Sequence, residues 1–232
     1  MPRPSIPLLS RDAIVACAMR IVDAQGVSGL SMRKLAADLG VSGPSLYHHF
    51  ASKDEILDAI VEKINSEIDL DQAGPGWEAA LTSYAYQLRA ILTEHPHIVE
   101  FLALRPVTKH AGLRIYEHMI SVLSACGWEL MFGRDVTLAV ENLVYGAALM
   151  ANAPDLALTA DQRAAYPLLA QLPAEPPREP PDDGFDIGFA ALIQGLRRLA
   201  AGSNGQITTA ARPAHARSDT TDVSRLSAGS AG

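Results

Sequence analysis

A chain of 232 residues can bury a core without disulfides or metals, and 48% hydrophobic against 19% charged residues excludes wholesale disorder. The formal charge of -7, from 19 Lys+Arg against 26 Asp+Glu, argues against an evenly basic, phosphate-coating surface. The longest apolar run, Val136 to Ala151, carries Glu141 and Asn142 near its middle, and Arg11 and Asp12 stand where a secretory leader would need apolar residues; no membrane span, a cytoplasmic location and free thiols at Cys17 and Cys126 are expected.

Strand patterning is nearly absent, and helical apolar spacing recurs from Ser10 to about Leu199, which predicts an all-α protein. The first helix follows the cap residue Ser10, buries Ile14, Ala18, Ile21 and Val22, and stops at Gly26. A short second helix fits Met32 to Leu39, between Ser31 and Gly40. A third fits Gly43 to Phe50, capped by Ser42, with Pro44 tolerated in the first turn and Leu46 and Phe50 on one face. The fourth opens on Ser52-Lys53-Asp54-Glu55, a capping box in which Ser52 and Glu55 satisfy each other's backbone N–H groups, and buries Ile56, Ile60 and Ile64. After Ala73-Gly74-Pro75-Gly76 come helices of bundle length: Trp77 to Thr93, His97 to Leu104, Lys109 to Cys126, Gly133 to Asn152 and Ala160 to Leu172. Five prolines in residues 173 to 184 make a stiff, exposed connection. Phe185 to Ala201 carries an apolar stripe of Phe189, Leu192, Ile193, Leu196 and Leu199, and the last 31 residues, from Gly202, are expected to be disordered.

The charge is unevenly spread. Residues 1 to 65 hold seven Lys/Arg and seven Asp/Glu, so the whole excess of -7 lies beyond residue 65. A neutral module on an acidic body can still bind DNA. In Ser31-Met-Arg-Lys-Leu-Ala-Ala-Asp-Leu-Gly-Val-Ser-Gly-Pro-Ser-Leu-Tyr-His-His-Phe50 two short helices meet at a sharp turn at Gly40, with Val41 as an apolar plug. That is a helix-turn-helix, whose second helix can enter the major groove while the first crosses the backbone. Ser45, Tyr47, His48 and His49 face outward on it, as hydrogen-bonding groups with flat apolar faces suited to base edges, methyls and phosphates.

Residues 10 to 65 resemble the DNA-binding domain of the tetracycline-repressor (TetR) family, most specifically in Leu-Gly-Val-Ser, Leu-Tyr-His-His-Phe and Lys-Asp-Glu-Ile-Leu. Further on, Leu104-Arg105-Pro106, the run from Cys126-Gly127-Trp128 to Gly146-Ala147, and Phe185-Asp-Ile-Gly-Phe189 are similar in order to the ligand-binding, dimerising domain of the tetracycline-binding branch. The resemblance implies a helix-turn-helix domain over residues 1–70, a ligand-binding and dimerisation bundle over 71–201, and a tail over 202–232. It implies Arg33 on a guanine, Gly43 and Ser45 at base-reading positions, and Tyr47, His48, His49 and Lys53 at the backbone or groove wall. Ser31 and Ser42 are expected on phosphates. Gly43 departs from the branch, which places a longer amide there, so base preference at that step is expected to differ.

In tetracycline-binding relatives a drug–magnesium complex is held by a histidine and, through its water shell, by a histidine and a glutamate. Phe101 and Met150 fall at two of those three positions, and apolar groups cannot ligate a hard cation. No magnesium-dependent tetracycline binding, metal or cofactor is therefore expected. A cleft of Trp77, Tyr84, Phe101, Met119, Tyr145 and Met150, with Arg105, Glu141 and Asn142 as polar anchors, would take an apolar or aromatic molecule. The seven histidines show no i, i+4 pairing and read as surface or capping groups. The helices Gly133 to Asn152 and Phe185 to Ala201 are expected to form a homodimer face, presenting two recognition helices to a palindromic double-stranded operator. The resulting expectation is a repressor released by a small-molecule inducer, not an enzyme. Two alternatives are a helical small-molecule-binding protein or enzyme with a vestigial helix-turn-helix, and a constitutive DNA-architectural protein.

Overall fold

The computed structural model describes residues 9–151, 157–172 and 184–202. Among them every regular element is helical: α1 (Arg11–Gly29), α2 (Met32–Leu39), α3 (Gly43–Tyr47), α4 (Lys53–Ser66), α5 (Trp77–Glu94), a 3-10 turn (Pro96–Ile98), α6 (Val99–Ala103), α7 (His110–Ala125), α8 (Leu130–Met150), α9 (Ala160–Ala165), a second 3-10 turn (Leu169–Gln171) and α10 (Phe185–Gly202). Residues 173–183 of the proline-rich connection, and the tail from residue 203, lie outside the described residues. No helix among those described is long and apolar enough to cross a membrane.

Serines set the starts of the first four helices. Ser10, Ser31, Ser42 and Ser52 each accept a hydrogen bond from the backbone N–H three residues on, at 3.1, 3.2, 3.4 and 3.2 Å. Glycines set two of the ends. Gly26 has φ 72° near the end of α1, so the regular helix ends there as the sequence predicts. Gly40 has φ 65° and ψ 31°; its N–H donates to the Ala37 carbonyl at 3.1 Å, and the Val41 N–H to that of Ala36 at 3.0 Å. Those are the two bonds of a Schellman cap.

The apolar interior is continuous from Ile14 of α1 through Ile56, Ile60 and Ile64 of α4 to Val140 of α8 and Phe189 of α10. Each fully buried Leu, Ile or Phe contributes about 1.5–3 kcal/mol by leaving water, so one interior ties the α1–α4 end to the rest. Helix α7 packs along α8, where a Cβ on Gly133 would meet Leu123 at 3.4 Å.

Three boundaries differ from the sequence expectation, each for a local reason. α3 is five residues long and ends at Tyr47, yet the following turn still delivers Phe50 to the core at 1% exposure. α8 begins at Leu130 rather than Gly133, because a glycine inside a helix costs only about 1 kcal/mol and here permits close packing. The helix predicted over Ala160 to Leu172 stops at Ala165: Tyr166 precedes Pro167 and takes φ -122° and ψ 77°, outside the helical region that a residue before proline avoids.

Candidate DNA-reading surface and ligand cavity

The α2–α3 unit presents a group of uncommitted polar side chains. Leu46 is fully buried and Phe50 nearly so, which turns Tyr47 outward at 56% exposure. Arg33 and His48 are exposed, and neither they nor the Tyr47 hydroxyl has a hydrogen-bond or ionic partner among the described residues. Ser31 and Ser42 are also exposed, with their hydroxyls serving as helix caps, and Ser42 shares a 2.7 Å hydrogen bond with Ser45. At Gly43 nothing lies within 4 Å of the place a Cβ would occupy, so the space a longer side chain would take is open. His49 and Lys53 are only partly exposed.

Lys53 does not stand free at that surface. Its Nζ donates to the Val27 carbonyl at 2.7 Å, fastening the start of α4 to the end of α1. Arg11 plays a matching part that sequence reading missed. It donates to the His49 carbonyl, pairs with Glu55 at 3.0 Å and lies 3.8 Å over the Phe50 ring, so it seats the turn after α3. Glu55 accepts from the Ala51 N–H at 2.7 Å rather than from Ser52, one residue further back than the capping box expects. That N–H first, and then Arg11, hold the Glu55 carboxyl below its ordinary range.

A cavity of about 300 Å³ lies between α4, α5, the α6–α7 segment and α8. Five of the nine expected ligand residues line it: Tyr84, Arg105, Glu141, Asn142 and Tyr145. Glu141 accepts from the Tyr84 hydroxyl at 2.6 Å and the Tyr116 hydroxyl at 2.5 Å. Burial raises the Glu141 pKa, and the two phenols act against that shift. The Tyr84, Tyr116 and Tyr145 hydroxyls are themselves pushed up, chiefly by burial, so all three stay neutral in the physiological range.

The other four expected ligand residues lie off the cavity. Met119 is a core side chain at 1% exposure, because the inner face of α7 turns it into the bundle. Met150 is 65% exposed at the end of α8. Trp77 packs on Trp128 at 5.2 Å, at the far end of α5 from the cavity. Phe101 serves as a platform beneath the Arg105 guanidinium, 4.4 Å away. Equal helical spacing of apolar residues could not tell a cavity wall from the core beside it.

Residues 14–60 match the model for bacterial regulatory proteins of the tetR family, and residues 71–200 that for the tetracyclin repressor-like C-terminal domain. This chain belongs to the TetR family. It is 36% identical over 146 residues to an HTH-type transcriptional regulator of Saccharopolyspora erythraea, an alignment spanning 61% of this chain and 60% of that relative. It is 29% identical over 204 residues to the class D tetracycline repressor protein of Escherichia coli, covering 86% of this chain and 91% of that one. The solved structure of the Streptomyces coelicolor TetR family protein ActR in complex with actinorhodin is similar at a TM-score of 0.67 and 27% identity, over 84% of this chain and 99% of that one. The chain spans about 60% of the length of that first relative, and it belongs to the tetR family of bacterial regulatory proteins with the all-α architecture of its structural neighbours.

Within this TetR-family protein, two sets of polar contacts join helices α1 and α4 to the bundle. His95 Nδ1 lies 2.9 Å from Asp23 Oδ1, and His97 Nδ1 lies 2.8 Å from the Asp23 carbonyl, tying the turn before α6 to α1. On the other side Arg105 reaches Asp58 at 3.1 Å and Asp54 at 3.5 Å, Lys109 reaches Asp58 at 3.3 Å, and Glu62 accepts from the Ala111 N–H at the start of α7 at 3.0 Å. His97 is exposed, as expected of a surface histidine, whereas His95 departs from that expectation: it is part-buried, with its ring on the Asp23 carboxylate.

Proposed function

We propose that this TetR-family regulator is a repressor that binds a palindromic operator as a homodimer and leaves it when a small, largely aromatic molecule fills the cavity beside α4. The observation that carries this reading is the double use of α4. Its first turn adjoins the turn after α3, while Val61 and Asn65 further along form part of the cavity wall. A molecule in the cavity and a DNA duplex at α3 would both bear on one rigid rod, which is what coupling between two sites requires. Only a molecule that prefers one position of α4 would release DNA.

In this reading residues 1–70 read DNA and 71–201 sense the ligand. Arg33 contacts a guanine, Gly43 and Ser45 face bases, and Tyr47, His48 and His49 meet the groove wall or backbone, with Ser31 and Ser42 on phosphates. Tyr84, Arg105, Glu141, Asn142 and Tyr145 hold the ligand. Magnesium–tetracycline is not that ligand in this reading, since no histidine lines the cavity and Phe101 and Met150, at two of the branch's three ligating positions, carry no oxygen or imidazole donor. The expected dimer face needs one amendment. Phe185, Phe189, Ile193 and Leu196 are buried within the chain, against Tyr86 among others, and so are not available to a partner. The face instead centres on Gly146 and Gly195, which have open space above them, with exposed Leu149 and Ile187 nearby in sequence. Such a protein works in the cytoplasm, where its operator lies.

The test is selection of bound sequences from a random DNA pool by the full chain, followed by gel shift and sedimentation of the complex. Enrichment of an inverted repeat bound by two protomers is expected. Enrichment of no sequence, or binding by a single protomer, would overturn the reading.

A further inference from the structure

The polar groups of the cavity are in two states of commitment. Glu141 is engaged on both sides, since each of its oxygens already accepts from a tyrosine at 2.6 or 2.5 Å. A ligand group that reaches Glu141 must share each oxygen with a phenol already seated on it. Tyr84 and Tyr116 keep lone pairs as acceptors, and the Tyr145 hydroxyl, with no hydrogen-bond partner among the described residues, is a spare donor. A ligand with hydroxyl or carbonyl groups on an aromatic body fits this wall.

The opposite side of the cavity is basic. Arg105 and Lys109 both line it. The Arg105 guanidinium is held over the Phe101 ring at 4.4 Å, which helps set its position before any ligand arrives. Their acidic partners all stand on α4: Asp58 takes both cations, on different oxygens, at 3.1 and 3.3 Å, and Asp54 takes Arg105 at 3.5 Å. The Arg105 and Lys109 side chains are 34% and 47% exposed, so each pair is solvated, weak and exchangeable. A guanidinium has five N–H donors, so Arg105 can engage a second anion before it gives up the first.

We infer that the ligand of this cavity carries a carboxylate or similar small anion, which Arg105 and Lys109 bind in exchange for Asp58 and Asp54, so that capturing the ligand unfastens α4. This rests on the proposed ligand cavity and names the chemistry it selects. The exchange explains why the basic pair faces both a cavity and the helix that seats the DNA-reading unit. It also makes an unusual demand: Asp58 is a competitor of the ligand, so removing it must tighten binding.

The test uses the full chain and matched probes, 2-naphthoate and its uncharged carboxamide 2-naphthamide, with the benzoate and anthracene-2-carboxylate pairs as size controls, all by isothermal titration calorimetry. The carboxylate is expected to bind about tenfold or more tightly than its amide in at least one pair, the difference a charge-assisted hydrogen bond supplies. Asp58→Asn should tighten the carboxylate by about threefold and leave the amide unchanged, and Arg105→Gln should erase the preference. If Arg105→Gln does not fold, Lys109→Gln and the gain from Asp58→Asn still decide. Equal affinities for acid and amide, or a carboxylate indifferent to Asp58→Asn, would overturn the inference and leave the ligand cavity standing. Binding of neither member of any pair would overturn the inference and count against the cavity reading as well.

Discussion

The two ends of the molecule handle polar groups in opposite ways. On the α2–α3 surface Arg33, Tyr47 and His48 are exposed and have no partner among the described residues, while the residues that hold them in place, Arg11, Glu55 and the capping serines, are engaged. Around the cavity the charged groups show the reverse: Glu141, Arg105 and Lys109 are engaged, and the neutral Asn65, Thr108, Asn142 and Tyr145 side chains have no hydrogen-bond partner among the described residues. A surface that reads a duplex benefits from groups that need no release before binding. A sensor benefits from groups whose existing partners can be exchanged, because the exchange is what transmits the signal.

Four substitutions probe this contrast, from the largest effect to the smallest. Leu46→Ala empties a fully buried position between α2 and α3, and should cost about 2–5 kcal/mol of stability in urea denaturation while abolishing operator binding. If DNA binding survives, α3 is not the reading element. Arg33→Ala removes an unpartnered guanidinium and should lose about 1–3 kcal/mol of affinity for the selected operator, with relaxed preference at one base. Equal weakening on random DNA would reduce Arg33 to a phosphate contact.

Lys53→Ala sharpens the comparison further, because sequence resemblance and tertiary contacts assign that residue different work. With its ammonium on the Val27 carbonyl at 2.7 Å, the expected result is a stability loss of about 1 kcal/mol and an unchanged salt dependence of DNA binding. A salt slope reduced by about one would return it to the phosphate backbone. The smallest effect is expected at Glu141. Its raised pKa means the folded chain holds that proton more tightly than the unfolded chain. The associated stability is present at acid pH and is lost as pH rises through the raised value, from the ordinary 4.5 upward. Glu141→Gln should flatten that part of the melting-temperature profile, and an unchanged slope would show that another group titrates there.

Much of the DNA-facing end was legible in the sequence because its determinants are local. Ser31, Gly40 and Ser42 act on backbone groups no more than a few residues away, so spacing alone places the caps and the turn. Arg11 escaped notice because its partners, His49, Phe50 and Glu55, lie 38 or more residues on. The cavity was half legible. Polar residues on apolar helix faces, Glu141 and Tyr84, were good pointers, since burying them demands a partner. Apolar candidates were not: Met119 and Phe101 share the spacing of cavity residues, and their places depend on which neighbouring helix fills the space beside them.

By itself the sequence determined the helical class, the caps that bound the short reading helices and the family to which the chain belongs, all consequences of interactions within one or two turns of backbone. Only the tertiary structure decided that Lys53 is tied to α1, that Glu141 is shared by two tyrosines and that Arg105 and Lys109 stand between a cavity and α4. Those outcomes depend on which distant segments meet, and the energy of a charge or a buried hydroxyl is set by the partner that arrives rather than by its neighbours along the chain.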